Sequence, residues 1–282
     1  MKIAILYIAT GRYSIFWNEF YTSCEKYFLK NMDKTYFLFT DDINIQEQKN
    51  IKKIKQKKLG WPYDTMMRFD MFLSKKEELK NYDYIFFFNA NTKFMSEVGD
   101  EILPTRANDG LVTATHHGFY DKQPDEFTYD RNPNSMAYIP YGQGKHYATG
   151  ALNGGIAKDY LLMCEVCSKS IHIDLENEVI ALWHDESHLN RYLIGKNPLI
   201  MSVNYLYPET IDKNSKWNNP NEYSNDIKIL SVDKTKPEYG GHDYLREIDS
   251  GNFISKLFSV KKSINNKYYI VNILGLKIKL KK

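Results

Sequence analysis

The sequence predicts an α/β fold, a central and mostly parallel sheet covered by helices and merged with a less regular second half. Two observations lead there. Over the first 115 residues, short apolar runs alternate with stretches whose apolar residues return at helical spacing. Within them Tyr84–Phe88 reads Tyr-Ile-Phe-Phe-Phe, apolar toward both sides, as a strand covered by helices on both faces must be.

The elements follow in order. Residues 3–8 form the first strand, an apolar run too short to cross a bilayer. Phe16, Phe20, Cys24 and Phe28 recur every four residues and mark one face of a helix. Residues 36–40 and 50–54 are the next two strands, 65–79 a helix with an apolar stripe, Tyr84–Phe88 the central strand and Leu111–Thr115 a further one. Residues 116–147 are rich in Pro, Gly, Asn, Asp and Tyr and have no period. A long irregular stretch inside a compact domain usually serves function. Helical spacing returns at 158–170 and 186–193. Residues 208–225 read as a polar loop, 227–232 as a strand and 233–249 as a charged closing segment. Around Gly275, residues 268–274 and 276–280 form a bent, basic hairpin.

Composition narrows the class. Hydrophobic residues are 43% and charged residues 26%, a globular balance, while aromatic residues reach 15%. Amphipathic rings suit a surface that stacks on sugars and bonds hydroxyls. The three cysteines are too few for a disulfide framework and point to a reducing compartment. Cys164 and Cys167 fall on the apolar face of a helix with no further ligands near, so they read as core residues. With no leader segment visible, the expected location is the cytoplasm. The net charge of +3 is uneven: beyond Asp249 come eight lysines and no acid, leaving −5 for residues 1–249. A basic surface built into the fold marks nucleic-acid binders; an acidic body with a basic tail instead suits peripheral contact with an anionic membrane.

Four motifs carry chemistry. Ile8, Ala9, Thr10 and Gly11 put small residues at the end of the first strand, where backbone can approach a flat ring and Tyr13 can stack on it. Asn89-Ala90-Asn91 ends the central strand with two carboxamides. These hydrogen-bond hydroxyls but give a divalent cation little of the anionic oxygen it needs. Residues 183–190 read Trp-His-Asp-Glu-Ser-His-Leu-Asn. His184 and His188 are spaced like a helical zinc pair, but the position of Glu186 and the lack of a third ligand argue against that. Finally, Lys234, Lys236 and Arg246 lie in a segment with interspersed acids and a Gly240-Gly241 bend.

Taken in order, several segments resemble glycosyltransferase family 6, the group of the blood-group A and B transferases and α1,3-galactosyltransferase. They are Ala9-Thr10-Gly11-Arg12-Tyr13, Trp61-Pro62 with Met66-Met67-Arg68, Asn89-Ala90-Asn91, His116 with Gly118-Phe119-Tyr120, Thr128-Tyr129, Ala137-Tyr138-Ile139-Pro140, Gly154-Gly155 and residues 183–190. The resemblance covers roughly residues 3–246 and implies a GT-A fold in a single catalytic domain, 1–249. Its UDP-binding half is 1–115, its acceptor-binding half and closing segment 116–249, and 250–282 is the basic tail.

It also implies roles. Ile8, Ala9, Thr10 and Tyr13 form the uridine pocket. Arg68, Asn89, Ala90, Asn91 and Asp185 meet ribose, sugar or diphosphate, and Lys234 and Arg246 close over the diphosphate. Glu186 is the catalytic carboxylate, touching acceptor as well, with His116, Trp183 and His184 as acceptor contacts. The animal members carry Asp-x-Asp and a manganese ion where this chain has Asn-x-Asn, so the resemblance is to the bacterial branch and no divalent cofactor is expected. His117 stands where the family usually has proline. Thr149-Gly150-Ala151 matches the donor-discriminating segment. Alanine at 151 goes with galactose, glycine with N-acetylgalactosamine, because a methyl group takes the room of the acetamido group.

The implied reaction is retaining α1,3 transfer of galactose from UDP-galactose to a fucosylated β-galactoside of a lipid-linked bacterial surface glycan. UDP-N-acetylgalactosamine is the alternative donor. A glycan-binding module without catalysis and a metal-dependent hydrolase are the rival classes. The first predicts loss of Glu186 or of the closing cations; the second needs strand-end carboxylates where Asn89 and Asn91 stand.

Overall fold

The computed structural model describes residues 1–210 and 226–247, and the backbone of three strands beyond them, 258–262, 268–273 and 276–281. The central sheet has seven strands. They are β1 (Lys2–Ala9), β2 (Asp33–Thr40), β3 (Ile51–Lys55), β4 (Tyr84–Phe88), β6 (Leu111–Thr115), β7 (Ala148–Ile156) and β8 (Leu199–Met201), laid out β3-β2-β1-β4-β7-β6-β8. All run parallel except β7, which is antiparallel to β4 and β6. Between β4 and β6 in the chain lies β5 (Thr92–Phe94). It joins β9 (Tyr207–Pro208) and β10 (Ile229–Ser231) in a small second sheet. This is the α/β architecture of the GT-A type.

Period-two alternation builds both layers of the core. In β1, Ile3, Ile5, Tyr7 and Ala9 face a cluster containing Trp17, Phe20 and Cys24 of α1 (Trp17–Tyr27). Ala4 and Leu6 face the opposite layer. That layer contains Phe69 and Phe72 of α3 (Arg68–Leu73), which follows α2 (Tyr63–Met66), and Leu79 of α4 (Lys76–Leu79). The long α5 (Ala157–Glu176) adds Tyr160, Leu161, Cys164 and Cys167, both cysteines buried and free, their thiols pushed up by burial. Two more helices carry site residues, α6 (Asp185–Leu193) and α7 (Gly241–Arg246). No helix among the described residues is long and apolar enough to cross a membrane.

The structure corrects the sequence reading in three places. The single helix expected over 65–79 is broken into α2, α3 and α4. The hydroxyls of Thr65 and Ser74 donate back to the carbonyls of Pro62 and Met71, local bonds that compete with helical continuation. Residues 148–156, not foreseen as a strand, form β7, whose Gly150, Gly154 and Gly155 hide its strand character. The charged closing segment contains α7. Most of the loop expected at 208–225 lies outside the described residues. The expected hairpin is present as β12 (Tyr268–Ile273) and β13 (Leu276–Lys281), with β11 (Phe258–Lys262) as a third antiparallel strand.

Candidate active site

The carboxyl ends of β1 and β4 and the start of the reversed β7 meet on one edge of the sheet, the place where open α/β sheets hold ligands. Hydrogen bonds weld this edge: Tyr7 Oη donates to the Ala90 carbonyl at 2.7 Å, and the Asn89 amide to the Ala151 carbonyl at 2.9 Å. A cleft of about 260 Å³ opens there. Of the residues expected from sequence, Ile8, Thr10, Tyr13, Arg68, Asn89, Ala90, Asn91, Gly150, Ala151, Trp183, His184, Asp185, Glu186, Lys234 and Arg246 all line it.

Three do not. Ala9 points into the core with Tyr7, because alternation along β1 sends only Ile8 and Thr10 to the cleft. Thr149 is buried, its hydroxyl accepting from the Ala151 amide at 3.2 Å. His116 packs beside His117, Phe119 and Tyr147, and burial pushes its imidazole down to about 4. Four lining residues were missed as site members: Trp61, Asp64, Thr65 and Phe87. Trp61-Pro62 was visible as a motif. What was not visible is that its ring lies 3.8 Å under the Arg246 guanidinium and 4.8 Å from the His184 ring.

Glu186 sits in the first turn of α6, where a helix end favours negative charge. Its Oε2 accepts the Gly150 amide at 2.7 Å and its Oε1 the Tyr147 hydroxyl at 2.9 Å. A side chain at position 150 would meet Glu186 Cβ at 3.0 Å, so glycine is what lets β7 approach this closely. Burial raises the Glu186 carboxyl above its usual range, while the Gly150 amide, the Tyr147 hydroxyl and Arg68 pull it back. Its neighbour Asp185 is pushed up to about 7 by burial against the pull of Arg68, whose Nε stands 3.0 Å away. Arg68 also donates to the Gly150 carbonyl at 2.7 Å and lies 4.5 Å over the Phe87 ring. It is 6% exposed. His184 has φ of 54°, a left-handed backbone that a histidine rarely adopts, and strain of this kind gathers at functional turns.

The cations converge from three separate stretches of chain. Burial first, then Arg246 and Arg68, push the Lys234 ammonium down to about 8. Its Nζ stands 5.7 Å over the Tyr13 ring. The buried Nε of Arg246 has no hydrogen-bond partner. A buried donor left open amid like charges is what an anion-binding cleft needs. Lys236 is turned elsewhere, to Glu209 at 2.5 Å.

The same groups offer a divalent cation few anionic oxygens. Asn91 Nδ2 donates to Ser231 Oγ and the Val232 carbonyl, which leaves a neutral oxygen, and Asn89 is neutral as well. The lining carboxylates are all engaged: Asp64 by the Leu59 amide, Asp185 by Arg68, Glu186 as described. The zinc pair weighed from sequence is also split. His184 lines the cleft, while buried His188 faces Asp174 and Ser170.

Comparison with known proteins identifies the family. The model of glycosyltransferase family 6 matches residues 1–235. The chain is 32% identical over 244 residues to the O-antigen biosynthesis glycosyltransferase WbnI of Escherichia coli, covering 86% of this chain and 99% of that protein. It is 29% identical to the globoside α-1,3-N-acetylgalactosaminyltransferase 1 of Gallus gallus and 29% to the histo-blood group ABO system transferase 2 of Rattus norvegicus. In each case 74% of this chain is covered, but only 62% and 64% of the relative's length. A cleft at the strand ends of an α/β sheet, a half-buried carboxylate in its lining and a family match over most of the chain lead to one statement: this chain belongs to glycosyltransferase family 6 and is a glycosyltransferase.

Proposed function

We propose that the chain transfers galactose from UDP-galactose, with retention and in α1,3 linkage, to a fucosylated β-galactoside of a lipid-linked bacterial surface glycan, and that it does so without a metal ion. The observation carrying this reading is the convergence of Arg68, Lys234 and Arg246 on a cleft that also holds Glu186 and two strand-end carboxamides. Departing UDP needs its developing charge matched, and preorganised cations supply that stabilisation. Asn89 and Asn91 bond hydroxyls instead of a metal. Glu186 supplies the negative charge that an oxocarbenium-like anomeric centre requires. The exposed face of Trp183 suits stacking of an acceptor sugar, with His184 beside it. Ala151 favours galactose over the bulkier acetamido sugar. The name of the Gallus gallus relative favours N-acetylgalactosamine as the second reading. The E. coli relative's role in O-antigen biosynthesis supports the surface-glycan acceptor and a cytoplasmic location, and the eight lysines beyond Asp249 support peripheral contact of the tail with the membrane.

The test is UDP release from UDP-galactose, with a fucosylated β-galactoside, in excess EDTA. Full activity is expected. Glu186→Gln should still bind UDP but lose several orders of magnitude in turnover. Abolition by EDTA with recovery on Mn²⁺ would overturn metal independence, and near-normal turnover of Glu186→Gln would overturn the assignment of that residue.

A further inference from the structure

Behind Glu186 runs a line of hydrogen bonds. Trp183 Nε1 donates to Thr128 Oγ1 at 2.9 Å, Thr128 Oγ1 to the Tyr147 hydroxyl at 3.3 Å, and Tyr147 to Glu186 Oε1 at 2.9 Å. Its two ends fix its direction. An indole nitrogen only donates and an ionised carboxylate only accepts, so both hydroxyl protons between them point toward Glu186. Bonds aligned in one sense polarise one another.

The line is sheathed by a core cluster of its own, with Phe119, Phe127, Tyr129 and Ile139 packed around Tyr147. The Tyr147 ring is 4.4 Å from Phe119 and stacks on Tyr129 at 5.4 Å. At its far end the Trp183 side chain is 43% exposed and lines the cleft. Irregular residues 116–147, read from sequence as the start of an acceptor-binding half, thus also supply Thr128 and Tyr147 to the back of the carboxylate.

We propose that Tyr147 and Thr128 are positioning residues for sugar transfer: they hold the Glu186 carboxylate in place and tie it to the acceptor platform at Trp183. The proposal rests on the reading of Glu186 as the catalytic carboxylate. The charged and titratable groups facing Glu186 are Asp185 beside it on α6, Arg68 from α3 and Tyr147. Burial lifts the Glu186 carboxyl and Tyr147 opposes that lift, so removing the hydroxyl leaves burial less opposed.

The experiment uses two variants that keep shape, Tyr147→Phe and Thr128→Val. The Glu186 carboxyl is titrated by carbon-13 NMR in the unliganded protein, its signal assigned by its loss in Glu186→Gln. The midpoint should rise by about one pH unit in Tyr147→Phe and less in Thr128→Val. In initial-rate assays Tyr147→Phe should lower kcat by about 10- to 100-fold, the effect of one donor to a charged group, and shift its acid limb upward with donor KM unchanged. Thr128→Val should mainly raise acceptor KM, since the Trp183 indole loses its anchor. Unmoved midpoints in both variants would overturn the proposal. A moved midpoint in a protein that transfers no hexose would instead refute the catalytic reading of Glu186 and leave the hydrogen-bonded hold standing.

Discussion

Lys234 behaves as its neighbours dictate. Its ammonium titrates near 8 because burial and two arginines disfavour its charge. UDP binding favours the charged form, so affinity should be highest below pH 8 and fall as pH rises through it, by up to ~10-fold per unit. Calorimetry across pH 6.5–9.5 checks this. It should also record proton uptake near pH 8, and Lys234→Arg should flatten the profile. Ala151, whose carbonyl takes the Asn89 amide, stands at the cleft wall. Ala151→Gly should raise the use of UDP-N-acetylgalactosamine relative to UDP-galactose by about tenfold, the scale of ~1–3 kcal/mol for one methyl group, in a competition assay with both donors. Legibility at this scale followed chemistry. The strand-end carboxamides, and the arginines and acids at the helix ends around them, were readable. Ala9, Thr149 and His116 lie off the cleft lining because their direction depends on strand parity and loop packing, which a motif does not carry.

Among the elements, α7 is the least able to stand alone. Six residues are below the length at which a helix persists in water. It is held from outside at its carboxyl end. Lys58 Nζ donates to the carbonyls of Leu245 and Glu247 at 2.7 Å each, and Arg12 Nη1 to that of Tyr244 at 2.9 Å. Cations at a helix carboxyl end satisfy its open carbonyls and its dipole. Gly240, with φ of 74°, turns the chain into it. Arg246 is therefore only as well placed as this clasp. Lys58→Met should raise donor KM by about 10- to 100-fold with a smaller change in kcat, and Lys58→Arg should restore it; steady-state kinetics decide. The clasp joins residues 12 and 58 to 244–247, a contact no local pattern announces. The bend at Gly240-Gly241 was legible; the helix after it was not.

At the scale of the whole molecule the sheet and the charge follow different divisions. Strand β7 lies between β4 and β6, so chain from 1–115 and from beyond it share one sheet. The apolar runs of β1, β2, β3, β4 and β6 were legible in the sequence, but the short β8 was not, nor was this insertion, whose glycines broke the signal. The charge division at Asp249 is plain in sequence. If the eight lysines beyond it meet an anionic surface, deletion of 250–282 should leave transfer to a free oligosaccharide intact. The same deletion should weaken binding to phosphatidylserine vesicles, most at low salt. Sedimentation with such vesicles tests it, and equal binding by the truncated and full chains would remove the tail from that role.

The reversed strand also sets a schedule for synthesis. Ile3 pairs with Tyr84, and Tyr84 in turn with Ile156, so the middle of the sheet waits for distant chain. At about 5–20 residues per second a ribosome needs roughly 3–14 s to extend from the end of β4 to the end of β7. Collapse of a nascent chain takes about 100 μs or less. Throughout that interval Tyr-Ile-Phe-Phe-Phe is a bare edge, uncharged and free of proline, the kind of segment that recruits other strands. The strand that later brings Gly150 against the Glu186 carboxylate is thus also the one that covers this bare edge.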